Sequence, residues 1–224
     1  NKDRLGKKLW SDRQKGDLVK LNCYRNGKEE AQGVGVVIEQ NIKKKNSLNN
    51  IAILVRAIYQ TREFEERFLK IGVNYRIIGG TKFYERAEVK DAICYLRVIN
   101  QKFDDLAFER IVNTPRRGLG ETTIKQLHEY SSKSNLCLED SVRKLIELDK
   151  FKPKIKAAIK HLVDFLTKWR ADLKINRHYD LLKIILDESG YSEMLKNKKD
   201  IESEGRLENI KELLRGMREF ENLE

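Results

Sequence analysis

At 224 residues the chain is long enough to bury one or two cores, and its formal charge of +11 with a pI near 9.4 puts a polyanion, most commonly nucleic acid, first among partners, although a lysine-rich solvated surface gives the same total. Cys23, Cys94 and Cys137 are odd in number and form no C-x-x-C pair, so they read as free thiols of a reducing compartment, and His128, His161 and His178 stand apart from them, which leaves no zinc pattern and no expected metal site. No apolar run approaches the roughly 18 residues of a membrane span, and the chain opens on charged residues rather than a signal peptide, so the expectation is a cytoplasmic protein with no membrane partner.

Residues 1–16, NKDRLGKKLWSDRQKG, are a polar entry segment with Trp10 as its one anchor. Leu18 to Tyr24 alternates apolar and polar residues as a strand does, and Asn26-Gly27 breaks it. Lys28 to Gln40 carries Ala31, Val34, Val37 and Ile38 at helical spacing, in spite of Gly33 and Gly35. Lys43-Lys44-Lys45 and the Asn/Ser cluster behind it form a loop. The continuous apolar run Ile51–Val55 is of the kind found in a strand covered on both faces. Gln60 to Ile71 places Phe64, Phe68, Leu69 and Ile71 along one side of a helix closed by Gly72, and Tyr75–Ile78 reads as a third strand. The order β-α-β-α-β predicts a parallel α/β layer with right-handed crossovers. Three strands are few to close a core, so further strands are expected elsewhere.

After Glu85 every long segment has helical periodicity, and a domain boundary is expected between 1–84 and 85–224. Helices are predicted near 86–100, 104–112, 121–133, 138–148, 153–173, 178–189 and 204–221, with Pro115 and Pro153 standing at helix boundaries. Residues 1–84 hold 18 Lys+Arg against 9 Asp+Glu, whereas 85–224 hold 28 against 26. The helical part is therefore no basic blanket, and any nucleic acid it binds must be met by a local patch or by backbone amides. A chain that begins at Asn1 and stops on Glu224 inside a helical pattern reads as a piece of something longer.

No phosphate-cradling G-x-x-x-x-G-K-[ST] loop is present: Gly6-Lys7 is followed by Lys8 and Gly27-Lys28 by Glu29. This chain alone is not expected to hydrolyse nucleotide. Gly33-x-Gly35 lacks the third glycine of a dinucleotide fingerprint. Arg56 stands just past Ile51–Val55, at the carboxyl end of a predicted strand, where parallel sheets place ligand contacts; a guanidinium there can stabilise charge on a transferred phosphoryl group, and a structural or surface arginine is the alternative. Thr114-Pro115-Arg116-Arg117-Gly118-Leu119-Gly120 is a tight turn opening onto the helix from Glu121. Free amides of Glu121, Thr122 and Thr123 at the positive end of that helix favour a phosphate, with Arg116 and Arg117 beside them. A plain interhelical turn is the other reading.

Together these residues are similar to the UvrD/Rep/PcrA family of superfamily 1 DNA helicases, along nearly the whole chain. IAILVRAIYQTREFEERFLKIGVNYRIIGG resembles helicase motif IV and its continuation; GGTKFYERAEVKDAICYLRVI resembles the family's G-G-x-x-F-F-x-R-x-E-I-K-D segment; NTPRRGLGETT resembles the duplex-contacting "G-I-G" turn; and SEGRLENIKEL resembles a segment near the end of the 2B insertion. The resemblance implies an α/β plus all-α fold, mostly helical: residues 1–84 a partial RecA-like parallel sheet layer (subdomain 2A), residues 85–224 the helical 2B subdomain. It implies an ATP-dependent 3′–5′ DNA helicase working in DNA repair, of which this chain is the accessory part. ATP and magnesium would bind mainly outside the chain, and DNA would be met at the junction of single strand and duplex. Arg56 takes the place of the motif IV arginine that reaches the γ-phosphate. Arg116, Arg117, Gly118, Leu119, Gly120, Glu121, Thr122 and Thr123 take the place of the duplex-contacting turn. Val55 departs from the tyrosine usual before that arginine, so adenine stacking is not carried over; Tyr84, Val89 and Leu119 are milder departures. A freestanding nucleic-acid-binding or interaction module is the rival, and an open sheet is the feature that separates the two.

Overall fold

In the computed structural model, which describes residues 16–197 and 201–219, the first packing unit is a pair of helices. Helix α1 (Gly27–Lys43) begins where Asn26 Oδ1 accepts the Glu29 N–H at 2.9 Å, with Glu29 and Glu30 in its first turn and Lys43 in its last, as the helix dipole favours. Its interior glycines are packing sites. A Cβ on Gly33 would lie 2.3 Å from the Tyr24 hydroxyl and one on Gly35 2.5 Å from Arg67 Nε, so only glycine lets these side chains cross the helix. Helix α2 (Thr61–Lys70) contributes Phe64 and Phe68, which close a small core with Ala31 and Ile38, flanked by Val34, Val73 and Tyr75.

The three expected strands are a correction. Among the described residues there is no strand: 18–24, 51–55 and 75–78 run as non-helical chain with no ladder between them. A strand exists through the hydrogen bonds of a neighbour, and without one the apolar residues that a covered sheet would bury face solvent. Leu54 is 95% exposed and Ile78 82%. The parallel α/β layer is thus not formed by these residues, and the fold is mostly helical. Single 3-10 turns stand at Leu48–Asn50, Ile58–Gln60 and Phe83–Glu85.

The helical body comprises α3 (Ala87–Asn100), α4 (Asp105–Val112), α5 (Glu121–Ser134), α6 (Leu138–Glu147), α7 (Pro153–Asp172), α8 (His178–Glu188), α9 (Tyr191–Asn197) and α10 (Ile201–Met217). The seven predicted helices are all present within a few residues. The short α9 was not among the predicted helices. Residues 1–15 with Trp10, and the predicted end of the last helix past 219, lie outside the described residues. One continuous core from Phe83 to Leu213 fills the body. At its centre the fully buried Trp169 meets Tyr95 edge-on at 6.1 Å and Phe165 face to face at 5.1 Å. Glu139, wholly buried, is held by Arg143 from one turn further along α6 and by both Nη atoms of Arg170 on α7, and Arg170 also donates to the Val98 carbonyl of α3 at 2.8 Å. Burial opposes ionisation of Glu139, but the hydrogen bonds from Arg170 and Arg143 outweigh it and keep the carboxyl below the ordinary value.

The helix pair and the helical body meet through a buried polar joint. Arg62 of α2 is 1% exposed and reaches three carboxylates at 2.7 Å each: Glu63, Glu66 and, from α10, Glu212. Arg86 donates to Asn209 Oδ1 of α10 at 2.7 Å, to Thr61 Oγ1 at 2.8 Å and to the Ile58 carbonyl at 3.1 Å, while Asn209 Nδ2 donates to Glu88. Glu65 accepts from the Phe83 N–H at 3.0 Å and Tyr84 Oη donates to Glu66 at 2.9 Å.

Candidate nucleic-acid interface

Between α4 and α5 the chain turns through Asn113–Gly120, and its two adjacent arginines have different surroundings. Arg117 is engaged internally: Nη1 donates to the carbonyls of Ile111 at 2.8 Å and of Val112 and Pro115 at 3.2 Å, Nη2 donates to Tyr95 Oη at 3.1 Å, and its main-chain N–H donates to Asn113 Oδ1 at 2.8 Å. Ile111 and Val112 close the last turn of α4, where carbonyls lack onward intrahelical partners, so Arg117 is a strut that fixes the turn to α4. Tyr95 in turn donates to the Thr114 carbonyl at 2.6 Å, Asn113 Nδ2 donates to the Leu119 carbonyl at 2.7 Å, and the Leu119 side chain is buried in the core. Arg116 is exposed and has no partner. It lines an open cleft of about 890 Å³ together with Thr114, Gly79, Gly80, Thr81 and Arg86.

The glycines also differ. Gly118 has φ +87°, a conformation L side chains rarely adopt, and a Cβ there would stand 3.5 Å from Ile155 Cγ1 of α7. Gly120, the N-cap of α5, has φ −82° and ψ 170°, ordinary extended backbone, and a Cβ would meet nothing within 4 Å. Its carbonyl accepts the N–H groups of Thr123 at 3.0 Å and Ile124 at 3.1 Å, so the Thr123 amide is not open, contrary to expectation. The amides of Glu121 and Thr122 remain without an acceptor, and both residues are exposed. The exposed residues of the turn are therefore Arg116, Gly118, Gly120, Glu121 and Thr122, carried by Arg117 and the buried Leu119. The Glu121 carboxylate suits the helix dipole but opposes a phosphate, which confines an anion to the main-chain side of the helix start.

Arg56 sits at a bend before the Ile58–Gln60 turn, exposed, its N–H donating to Gln60 Oε1 at 3.1 Å and its guanidinium unpartnered. Among the described residues there is no cluster of His, Cys, Asp and Glu that could hold a metal, and no helix is long and apolar enough to cross a membrane.

Two of the motifs singled out in the sequence bind each other. Tyr84, Arg86 and Glu88 of GGTKFYERAEVKD, and Asn209 and Glu212 of SEGRLENIKEL, are the joint between α2, α3 and α10, and Asp91 receives Arg110 and Tyr191. Nothing in one sequence pairs segments more than a hundred residues apart.

The chain belongs, over residues 1–224, to the family of UvrD-like helicase C-terminal domains. It is 38% identical over its whole length to a probable DNA helicase II homolog of Rickettsia felis, 37% identical over 99% of its length to the ATP-dependent DNA helicase PcrA of Bacillus subtilis, and 36% identical over 98% of its length to DNA helicase II of Escherichia coli. It covers 34%, 30% and 31% of those proteins respectively, so it spans about a third of the relatives it matches.

Proposed function

We propose that this chain is the accessory portion of an ATP-dependent 3′–5′ DNA helicase of the UvrD type that acts in DNA repair in the cytoplasm, and that it contacts the duplex ahead of the junction through the turn Arg116–Thr123. Residues 1–84 are the first part of a 2A subdomain, whose segments 18–24, 51–55 and 75–78 become strands when the rest of the parent's sheet pairs with them. Residues 85–224 are the 2B subdomain. The relatives' names, DNA helicase II and ATP-dependent DNA helicase PcrA, support the parent activity. Toward ATP the residue this reading assigns is Arg56, whose guanidinium is exposed and unpartnered. Bound ATP would supply the free energy of translocation, and the Arg56 guanidinium would contribute a positive charge to stabilise its phosphates.

The observation that carries the duplex-contacting role is the turn itself: Gly120 leaves open space at a helix start whose Glu121 and Thr122 amides lack acceptors, with an unpaired Arg116 adjoining. Such contacts touch the sugar–phosphate backbone and carry no base sequence, so binding should be weak and sequence-independent. The test is a duplex titration of the 224-residue chain at low and moderate salt, with Gly120→Val and Arg116→Ala beside the wild type and folding checked by circular dichroism. Both variants should bind more weakly while remaining folded. Equal binding by all three would reduce the turn to a helix connector.

A further inference from the structure

The turn does not stand alone on its surface. The Cβ position of Gly118 lies 3.5 Å from Ile155 Cγ1, which puts the first residues of α7 directly against the turn. Around Ile155 the sequence is Lys152-Pro153-Lys154-Ile155-Lys156. Ile155 faces inward, packed on the core. Lys156 is paired with Asp149 at 2.6 Å, whereas Lys152 and Lys154 are exposed and have no partner. On the other side of the turn, Lys125 follows Thr122 by three residues on α5, the spacing that puts side chains on one face, and it too is exposed and unpartnered. Unpaired cations therefore stand on the turn at Arg116, on α5 at Lys125 and at the start of α7 at Lys152 and Lys154, in a half of the chain whose net charge is close to zero.

We propose that the duplex contact extends from the turn onto the start of α7, where Lys152 and Lys154 neutralise two further backbone phosphates; the inference rests on the duplex-contacting role proposed for the turn. Successive phosphates on one strand of a duplex are about 3.4 Å apart along the axis, and the two strands face each other across a minor groove about 6 Å wide. A lysine side chain spans a distance of that order, so a backbone seated at Gly120 brings neighbouring phosphates within reach of the α7 lysines. Duplex is favoured over single strand because single-strand grooves stack bases on exposed aromatic rings, and Phe151 beside Lys152 and Tyr130 on α5 are packed on the core.

The experiment measures affinity of the 224-residue chain for a mixed-sequence duplex between about 50 and 200 mM salt, for Lys152→Ala/Lys154→Ala, for Gly120→Ala/Arg116→Ala and for a charge-matched control, Lys133→Ala/Lys174→Ala. The control lysines are exposed, unpartnered and at or beyond the far ends of α5 and α7, about 20 and 30 Å along those helices. Loss of two phosphate contacts should make the slope of log affinity against log salt shallower by about two, with weaker binding at low salt, while the control keeps the wild-type slope. If the α7 pair keeps the wild-type slope while the turn pair weakens binding, the α7 contact is refuted and the turn contact stands. If the turn pair binds like wild type, the duplex role of the turn fails and the α7 inference falls with it. An equal loss in the control pair refutes the inference too, because the affinity is then a diffuse field.

Discussion

Replacing Arg62 by methionine tests whether the polar joint holds the helix pair to the helical body. Methionine keeps most of the side-chain volume and removes only the guanidinium, which is 1% exposed and makes contacts of 2.7 Å to Glu63, Glu66 and Glu212. Removing one partner of a buried ion pair costs about 3–5 kcal/mol, because the charges left behind keep their desolvation penalty without their counter-charge. In a domain of this size that lowers the melting temperature by roughly 10 °C or somewhat more. The loss should depend on pH in a determined direction. Burial already pushes the Glu63 carboxyl above its ordinary value, against the pull of Arg62. A carboxyl raised in the folded state contributes stability at low pH that is lost as pH rises through its folded value, and taking away Arg62 raises it further. The destabilisation should therefore be largest near neutral pH and shrink as pH falls toward about 4.5, where the stranded carboxylates take up protons. Thermal melts of Arg62→Met, Glu212→Gln and the double variant at both pH values give the comparison, and a cycle coupling near zero, or a loss independent of pH, would refute the joint as an energetic unit.

Gly216→Ala should destabilise by about 1–3 kcal/mol in the same assay, since its Cβ would stand 2.8 Å from the immobilised Arg62 Nη1. Gly118→Ala should cost about 1–2 kcal/mol for its positive φ, whereas Gly120→Ala should change the melting temperature by only a degree or two, so chemical denaturation separates the conformational glycine from the open one. Glu139→Gln should flatten the acid limb of the stability curve: a carboxyl depressed in the folded state contributes stability that is present above its unfolded value and lost as pH falls through the folded one, and the neutral amide removes that loss below about pH 4. In the full-length parent, Arg56→Ala should lower ATP turnover about a hundredfold with nucleotide-free DNA binding intact, and wild-type turnover would remove Arg56 from the site.

Helices were legible because their signal is local. The stripe Val89, Ala92, Leu96 and Ile99 states both the element and the face it buries, and all four residues are in the core. Strands were legible as pattern and absent as structure for a single reason. Alternation at 18–24 and the apolar run at 51–55 report what a sheet would bury, but the hydrogen bonds that make a strand belong to a partner, and the described residues supply none. The same locality explains why Gly33 and Gly35 read as weak points of a helix: the side chains that lie on them, Tyr24 and Arg67, come from elsewhere in the chain.

Arg116 and Arg117 show where reading a site from sequence stops. Both are arginines in one turn, with the same formal charge and the same neighbours in sequence, and a contact assigned to one is assigned equally to the other. The division between them is made by Tyr95 and Asn113, which hold the Thr114 and Leu119 carbonyls and so turn Arg117 back onto the end of α4 while Arg116 faces the cleft. An arginine with four internal acceptors has little left to offer a phosphate, and its removal would collapse the turn that presents Gly120. Under the proposed duplex contact, loss of binding in an Arg117 variant is a loss of position, whereas within the turn Arg116, Gly120 and the amides behind it report on contact.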